Sequence, residues 1–446
     1  MKNYSLLTII VASAAVMPIA SFAKPNHPEW NDKVPAVSEE LLIQFKSTAT
    51  DADKKRVLNK VGGSFKETIA SKRQHDNGHG DLDLVRHALG LNRDDVKNSI
   101  ESDSSVEFVE PNYIYTHQSV SNDPYYTNGS LWGMQATNQF GSKASDAWSK
   151  GQTNCSSVYV GIIDEGYMYT HVDLAANVGV NTGEIAGNRK DDDGNGLVDD
   201  VYGWDFNDNN NSVFDGINDD HGTHVAGTIG GVGGNKVGVV GMCWSVKLLN
   251  AKFLGSTGGT LANAVKAVDY FTDLKKRGIN IVATNNSWGG GGYSQALRDA
   301  IERANQSNII FVAAAGNASS NNDTLPSYPA SYDNANVISV ASIASNGQLS
   351  TFSNYGATTV DLAAPGTDIW STVPVLKGAR IDSGYAKYSG TSMATPHVTG
   401  ACALYAALHP DAPVSEIKNA ILNTTQPTTS LIGKVATQAR LDVSKF

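Results

Sequence analysis

Cysteine, proline and positive charge are all scarce in this 446-residue chain, and each shortage narrows what it can be. Three cysteines cannot all pair within one molecule, so at least one thiol stays free or bonds to another chain. Lysine and arginine number 34 against 44 aspartates and glutamates, a formal net charge of −10, which argues against nucleic acid as a partner. Only 14 prolines stand against 43 glycines, with no internal repeat or low-complexity tail, which excludes a repeat architecture. Beyond the N-terminus no apolar run is long enough to span a membrane.

The first residues have the pattern of a targeting segment. Lys2 precedes a mostly apolar run from Leu6 to Ala20, interrupted by Pro18, and Ser21-Phe22-Ala23 places small residues around a cleavage point. Residues 1–23 are expected to be removed on export, leaving a secreted, extracellular protein with no membrane anchor. No appended domain is expected before Phe446.

From 24 to about 118 the sequence is rich in charge, poor in glycine and free of cysteine. ELLIQFK (Glu40 to Lys46) alternates as a strand does, and DADKKRVLNKVG (Asp51 to Gly62) reads as a helix closed by glycine. GSFKETIA is a second strand, RDDVKNSIES is helical, and LDLVRHAL fits either element. SVEFVEPNYIYT closes as a strand with Pro111 at an edge. The result is a small α+β module.

After Asn122 the texture changes. Apolar runs such as VYVGIID, KLLNAKFL, INIVATNNS and NIIFVAAAGN alternate with helical segments such as LANAVKAVDYFTDLKKRG and SQALRDAIERANQS. Strands apolar on both faces and separated by helices imply an α/β fold with a parallel sheet. Ligand sites of such sheets gather at the carboxyl ends of the strands, where Asp164, Asn285 to Ser287 and Asn317 stand. Further on, GTSMATPHVTGA (Gly390 to Ala401) has small side chains throughout. Pro396 is tolerated only near a helix start, so Ser392 is expected at the N-terminus of a buried helix, where negative charge is favoured.

Three motifs stand in order: GIIDEG with Asp164, DDHGTHVAGT with His221, and GTSMATPHVTG with Ser392. A serine hydroxyl needs a base to take its proton, an imidazole does so at neutral pH, and a buried carboxylate fixes its tautomer. The order Asp, His, Ser is the one subtilisin uses. On these motifs the chain resembles the subtilisin-like serine proteases over nearly all of its exported length, VEFVEPNY in the first module resembling their inhibitory propeptide.

The resemblance implies a signal peptide (1–23), an inhibitory propeptide that also assists folding (24–119) and a peptidase domain (120–446), the cut falling between Thr116 and Asn122. In that reading Asp164 orients, His221 is general base and acid, Ser392 attacks the peptide carbonyl, and Asn317 donates to the oxyanion. His224 competes with His221 and is expected to pack beneath the site. Ser287, Trp288, Gly289 and Gly290, with Ala315 and Gly316, are expected to line a roomy apolar pocket, Trp288 either narrowing it or covering the core. Protein and peptide substrates, broad cleavage after large apolar side chains and a monomer follow. Glu165 departs from the small Ser or Thr that many relatives carry after the catalytic aspartate; it is expected to face the surface, as strand neighbours alternate. An inactive binding module, a serine esterase and a calcium-dependent adhesion protein are the competing classes.

Structural calcium is the expected cofactor. DDDGNGLVDD spaces Asp191, Asp193, Asn195 and the Leu197 carbonyl as an EF-hand-like loop does, with Asp199 and Asp200 following and Tyr202 where the last glutamate would stand. The resemblance adds a second site from Asp123, Asp173, Val232 and Asn235. In the inferred fold Cys155 and Cys243 precede neighbouring parallel strands, so a disulfide is expected between them, with Cys402 left as a buried thiol.

Overall fold

The structure, a computed structural model, describes residues 36–69, 78–91, 93–113 and 121–446. The expected leader, the start of the expected propeptide and most of the expected cut region lie outside the described residues. The chain divides into two compact units between Tyr115 and Thr116.

In the first unit β1 (Ala36–Lys46), β2 (Ser64–Thr68), β3 (His79–Arg86) and β4 (Val106–Tyr113) form an antiparallel sheet in the order β2-β3-β1-β4. Helices α1 (Asp51–Lys60) and α2 (Arg93–Glu101) complete it. Leu41, Ile43 and Phe45 alternate into a core shared with Val57, Val85 and Ile100. LDLVRHAL, ambiguous in sequence, supplies the end of β3 with its first five residues, paired with β1 through Leu41 and Val85, and leaves the strand after Arg86. A capping box starts α1: the Thr50 hydroxyl accepts from Asp53 N (3.3 Å) and the Asp53 carboxylate from Thr50 N (2.9 Å). Pro111 sits on β4, at the sheet edge, where a missing donor is tolerated.

The second unit is built on nine strands: β5 (Tyr159–Asp164), β6 (Gly203–Asp205), β7 (Lys247–Lys252), β8 (Ile281–Asn286), β9 (Ile310–Ala314), β10 (Val337–Ile343), β11 (Leu362–Pro365), β14 (Gln426–Pro427) and β15 (Ala439–Arg440). They run in the order β14-β15-β11-β10-β9-β8-β5-β7-β6. Every neighbouring pair is parallel except β14 with β15. A separate hairpin pairs β12 (Ile369–Lys377) with β13 (Arg380–Tyr388).

Helices α3 (Asp220–Gly230), α6 (Thr391–Leu408) and α7 (Val414–Asn423) bury one face of the sheet, and α4 (Leu261–Lys276) and α5 (Gln295–Gln306) bury the other. This double cover explains the unbroken apolar runs: along β5, Val160 and Ile162 enter the first core and Ile163 the second. Gly161 is dictated by packing, since a Cβ there would lie 2.5 Å from the Phe271 ring on α4.

Cys155 and Cys243 precede the adjacent strands β5 and β7 and are joined by a disulfide, with Cα atoms 5.9 Å apart. Cys402 is fully buried in α6, and burial pushes its thiol pKa up. The bridge spans 88 residues of chain, for which loop-closure entropy predicts a stabilisation of about 4–5 kcal/mol. Thiol titration of denatured protein should therefore find one reactive group before reduction and three after; three before reduction would show the bond is absent.

Candidate active site

Strand β5 delivers Asp164 to the carboxyl edge of the sheet, where it is fully buried. The chain turns at Gly166 (φ +98°), and the first turn of α3 comes down onto that turn so closely that a Cβ on Gly222 would lie 2.0 Å from the Gly166 carbonyl oxygen. His221, next to this glycine, thereby meets Asp164, with Nδ1 to Oδ1 at 2.9 Å. Asp164 Oδ1 also accepts from Glu165 N (2.8 Å), while Oδ2 has no partner among the described residues. The pairing fixes the proton on Nδ1 and leaves Nε2 free, and 31% of the His221 side chain stays open to solvent. Burial works against a charged ring here, but the Asp164 carboxylate outweighs it, helped by Glu165 and Asp220, and the His221 pKa is raised to about 9.

His224, one turn along α3, lies flat against Tyr388 (centroids 4.6 Å apart) with Nε2 2.9 Å from Ile369 O. Burial lowers its pKa to about 3, so it is a neutral packing residue, as the sequence suggests.

Glu165 is half-buried rather than turned out to solvent, at the rim of a depression it shares with Asp215 and Asp219. Strand geometry ends at Asp164, so alternation no longer governs the next residue, and the Glu165 carboxylate turns inward to accept the His221 backbone N–H at 2.6 Å. Removal from water and, next, the charge of Asp164 push its pKa up to about 7.

Ser392 is the second residue of α6, where its N–H is one of the donors a helix leaves unpaired. Pro396 lies deeper than expected, sixth in the helix, beyond the unpaired first turn. It lacks the N–H that would bond the Ser392 carbonyl, and that carbonyl accepts instead from Ser287 Oγ (2.9 Å). The Ser287 hydroxyl is in turn fixed by Asn285 Nδ2 (2.9 Å), whose carbonyl oxygen takes the Thr399 hydroxyl (2.8 Å). The end of β8 is thus fastened to α6. Ser392 Oγ donates to Ser287 O at 3.1 Å.

Asn317, beyond β9, accepts through Oδ1 from Thr391 N (2.8 Å) and Thr391 Oγ1 (2.9 Å), which turns its Nδ2 outward. His221, Asn317 and Ser392 line one open cleft of about 450 Å³.

Beside it a second depression of about 370 Å³ is lined by Ser287, Trp288, Gly289, Gly290, Gly316 and Ser327. Ala314, the last residue of β9, lines it rather than Ala315, which lies one residue past the strand and is fully buried in the first core. Trp288 packs edge-on against Phe253 (4.9 Å) and separates this depression from a third, of about 360 Å³, bordered by Gly289 to Gly292 and Leu254. It both walls the pocket and covers the core.

The acidic residues are only partly where the sequence puts them. Asp193 and Asp200 converge with Glu184, which the spacing missed because it lies outside the ten-residue run. Asp191 binds the turn through Asn195 N (3.0 Å) and Gly196 N (2.8 Å). Asp199, at φ +54°, turns away to accept from Asn188 N and Arg189 N. Leu197 rests against the second core. Asp205, Asp208 and Asp215 form another acidic group that the sequence reading did not identify.

Asp123 and Asp173 are both fully buried where the loop carrying Val232 and Asn235 passes. Asp123 accepts from Gly234 N, Asn235 N and Lys236 N, and Asp173 from Asn235 Nδ2 (2.8 Å) and Val239 N. Burial first, and then Asp123, push Asp173 up to about 7. Neither carboxylate is paired with a Lys or Arg among the described residues, and two buried carboxylates offer the hard oxygen ligands that Ca²⁺ takes, while Asn235 turns Nδ2 and not its Oδ1 to Asp173.

Residues 156–441 match the description of the subtilase family. The chain is 33% identical over 384 residues to a thermophilic serine proteinase of Bacillus sp. (strain AK1), covering 84% of this chain and 80% of that one. Thermitase of Thermoactinomyces vulgaris is 36% identical over 304 residues, 68% of this chain and 90% of thermitase. Among solved structures, a protease of Pseudoalteromonas arctica PAMC 21717 superposes with a TM-score of 0.59 at 27% identity, covering 73% and 98% of the two chains. With that family-wide match and those relatives, the chain belongs to the subtilase family and is a subtilisin-like serine endopeptidase that hydrolyses peptide bonds.

Proposed function

We propose that this is a secreted, calcium-stabilised endopeptidase that matures by cutting off its own propeptide and acts through Asp164, His221 and Ser392. The observation that carries the reading is the 2.9 Å Asp164–His221 bond in a cleft shared with Ser392 and Asn317. In this mechanism the Ser392 hydroxyl leaves Ser287 O and gives its proton to His221 Nε2 as its oxygen attacks the peptide carbonyl. Asp164 stabilises the imidazolium that forms. Asn317 Nδ2 and the Ser392 N–H, both without a partner among the described residues, receive the oxyanion. His221 then protonates the leaving amine, and water repeats the sequence on the acyl-enzyme.

A peptide pairing along Gly289 and Gly290 would place a large apolar side chain in the depression walled by Trp288 and Ala314. Residues 1–23 serve as signal peptide, 24–119 as propeptide and inhibitor, and 120–446 as a monomeric peptidase. Supporting the second assignment is the self-contained α+β core of the first unit. Purified, processed protein should hydrolyse casein and lose that activity to a serine-directed inhibitor; no hydrolysis would sink the reading.

Ser392→Ala should accumulate at the unprocessed length, and the mature band appearing in that variant would rule out self-cleavage. Asn317→Ala should lower kcat by about 10²–10³ with little change in KM, the loss known for the corresponding donor in subtilisin.

Calcium would be held by Asp123 and Asp173 with the 232–239 loop, and by Asp193, Asp200 and Glu184 with the 191–197 turn. When bound it neutralises carboxylates and favours the folded state. An ion at a hundredfold excess over its Kd stabilises by about 2.7 kcal/mol. A chelator should therefore lower the Tm of the Ser392→Ala protein, where self-digestion cannot interfere, and shorten the lifetime of the active enzyme. An unchanged Tm with no calcium by elemental analysis would defeat this part.

A further inference from the structure

We propose that Glu165 is a positioning residue for His221, tying the base's backbone to the end of β5 and adding a second negative charge beside the Asp164–imidazole pair. The inference rests on the reading of His221 as general base.

The geometry begins with an omission. Asp219 is the N-cap of α3 yet makes no side-chain cap bond, because its carboxylate is taken by Lys252 Nζ (2.7 Å) and Asp215 N (2.6 Å). The first-turn donors of α3 therefore need an acceptor from elsewhere. Glu165 supplies it, accepting His221 N–H at 2.6 Å. Two consecutive residues of one strand end thus hold two parts of the same histidine: Asp164 the ring, Glu165 the backbone. One bond alone would let the ring swing about the other's contact. Together they fix both the position and the direction of Nε2.

The charges around Glu165 give its ionisation weight. Asp164 faces it from β5, Asp219, Asp220 and His221 from α3, Asp208 and Asp215 from the loop before α3, and Lys252 from β7. Lys252 is committed to Asp215 (3.0 Å) and Asp219 (2.7 Å), and Asp220 accepts from the Tyr388 hydroxyl. The positive charge left for Glu165 to offset is that of the protonated His221. Burial and Asp164 hold the Glu165 pKa at about 7, so its charge appears as pH rises through neutrality. Once ionised it favours the imidazolium, which raises the pH at which His221 becomes a free base, and the two groups titrate as a unit.

Three mature enzymes, wild type, Glu165→Gln and Glu165→Ala, assayed on a chromogenic peptide amide across pH, separate the two roles. Glutamine keeps an oxygen for His221 N–H but no charge, so the acid limb of kcat/KM should move about one pH unit lower with kcat at the plateau near wild type. Alanine removes the bond as well, so kcat should fall about tenfold with KM unchanged. The proposal is overturned if Glu165→Ala keeps kcat within about twofold of wild type, or if Glu165→Gln leaves the acid limb in place. NMR titration of the His221 ring in the inactive Ser392→Ala protein, with and without E165Q, reads the same shift where maturation fails; no shift there also overturns it. Activity surviving in His221→Ala would instead refute the reading of the base, leaving the two failures distinct.

Discussion

The approach of α3 to the end of β5 is the contact on which the active site depends. It brings a helix N-terminus, with its unpaired donors and positive dipole end, against a buried carboxylate. No side chain separates them, because Gly222 rides against the Gly166 carbonyl. Any larger residue at 222 would lift the histidine away from Asp164 and lengthen a bond that sets its tautomer. The parallel sheet does the rest: β5, β8 and β9 all end at the same edge, so Asp164, Ser287 and Asn317 arrive together without a loop having to reach for them. The disulfide lies at the opposite, amino end of β5 and β7, where it braces the sheet without crowding the cleft.

Much of this was legible in the sequence because burial on both faces keeps most strand positions apolar until the strand emerges. An apolar run ending in Asp or Asn is then both a strand and an address on the sheet. β5, β8 and β9 are read in this way, and the amphipathic α5 between them is equally plain. The pairing of Cys155 with Cys243 follows from which strands neighbour each other, and that order came from resemblance rather than from spacing.

What was not legible turns on single backbone steps. Glu165 lies one residue past the strand, so the alternation that places Asp164 says nothing of it. Ala314 and Ala315 are chemically identical, and only the point at which β9 ends decides which reaches the pocket. The acidic loop is only partly legible for a similar reason, Asp193 and Asp200 converging as the spacing suggests and the others not. A left-handed residue at Asp199 turns its carboxylate to cap a neighbouring turn, while Glu184 enters from outside the motif. Spacing can count carboxylates, but it cannot tell which way each one looks.

Pro396 has a consequence for how this enzyme can change over time. By freeing the Ser392 carbonyl for Ser287, it welds the end of β8 to the first turn of α6, in the proposed mechanism the segment that would receive a peptide and the helix that would carry the nucleophile. A substitution at Ser287 would disturb grip and chemistry at once, so selection for a new substrate has little freedom on that side. Trp288, Ala314 and Ser327, also in the lining, make no hydrogen bond to α6 among the described residues. Divergence in taste among proteins built this way should collect there, leaving the welded seam to drift least.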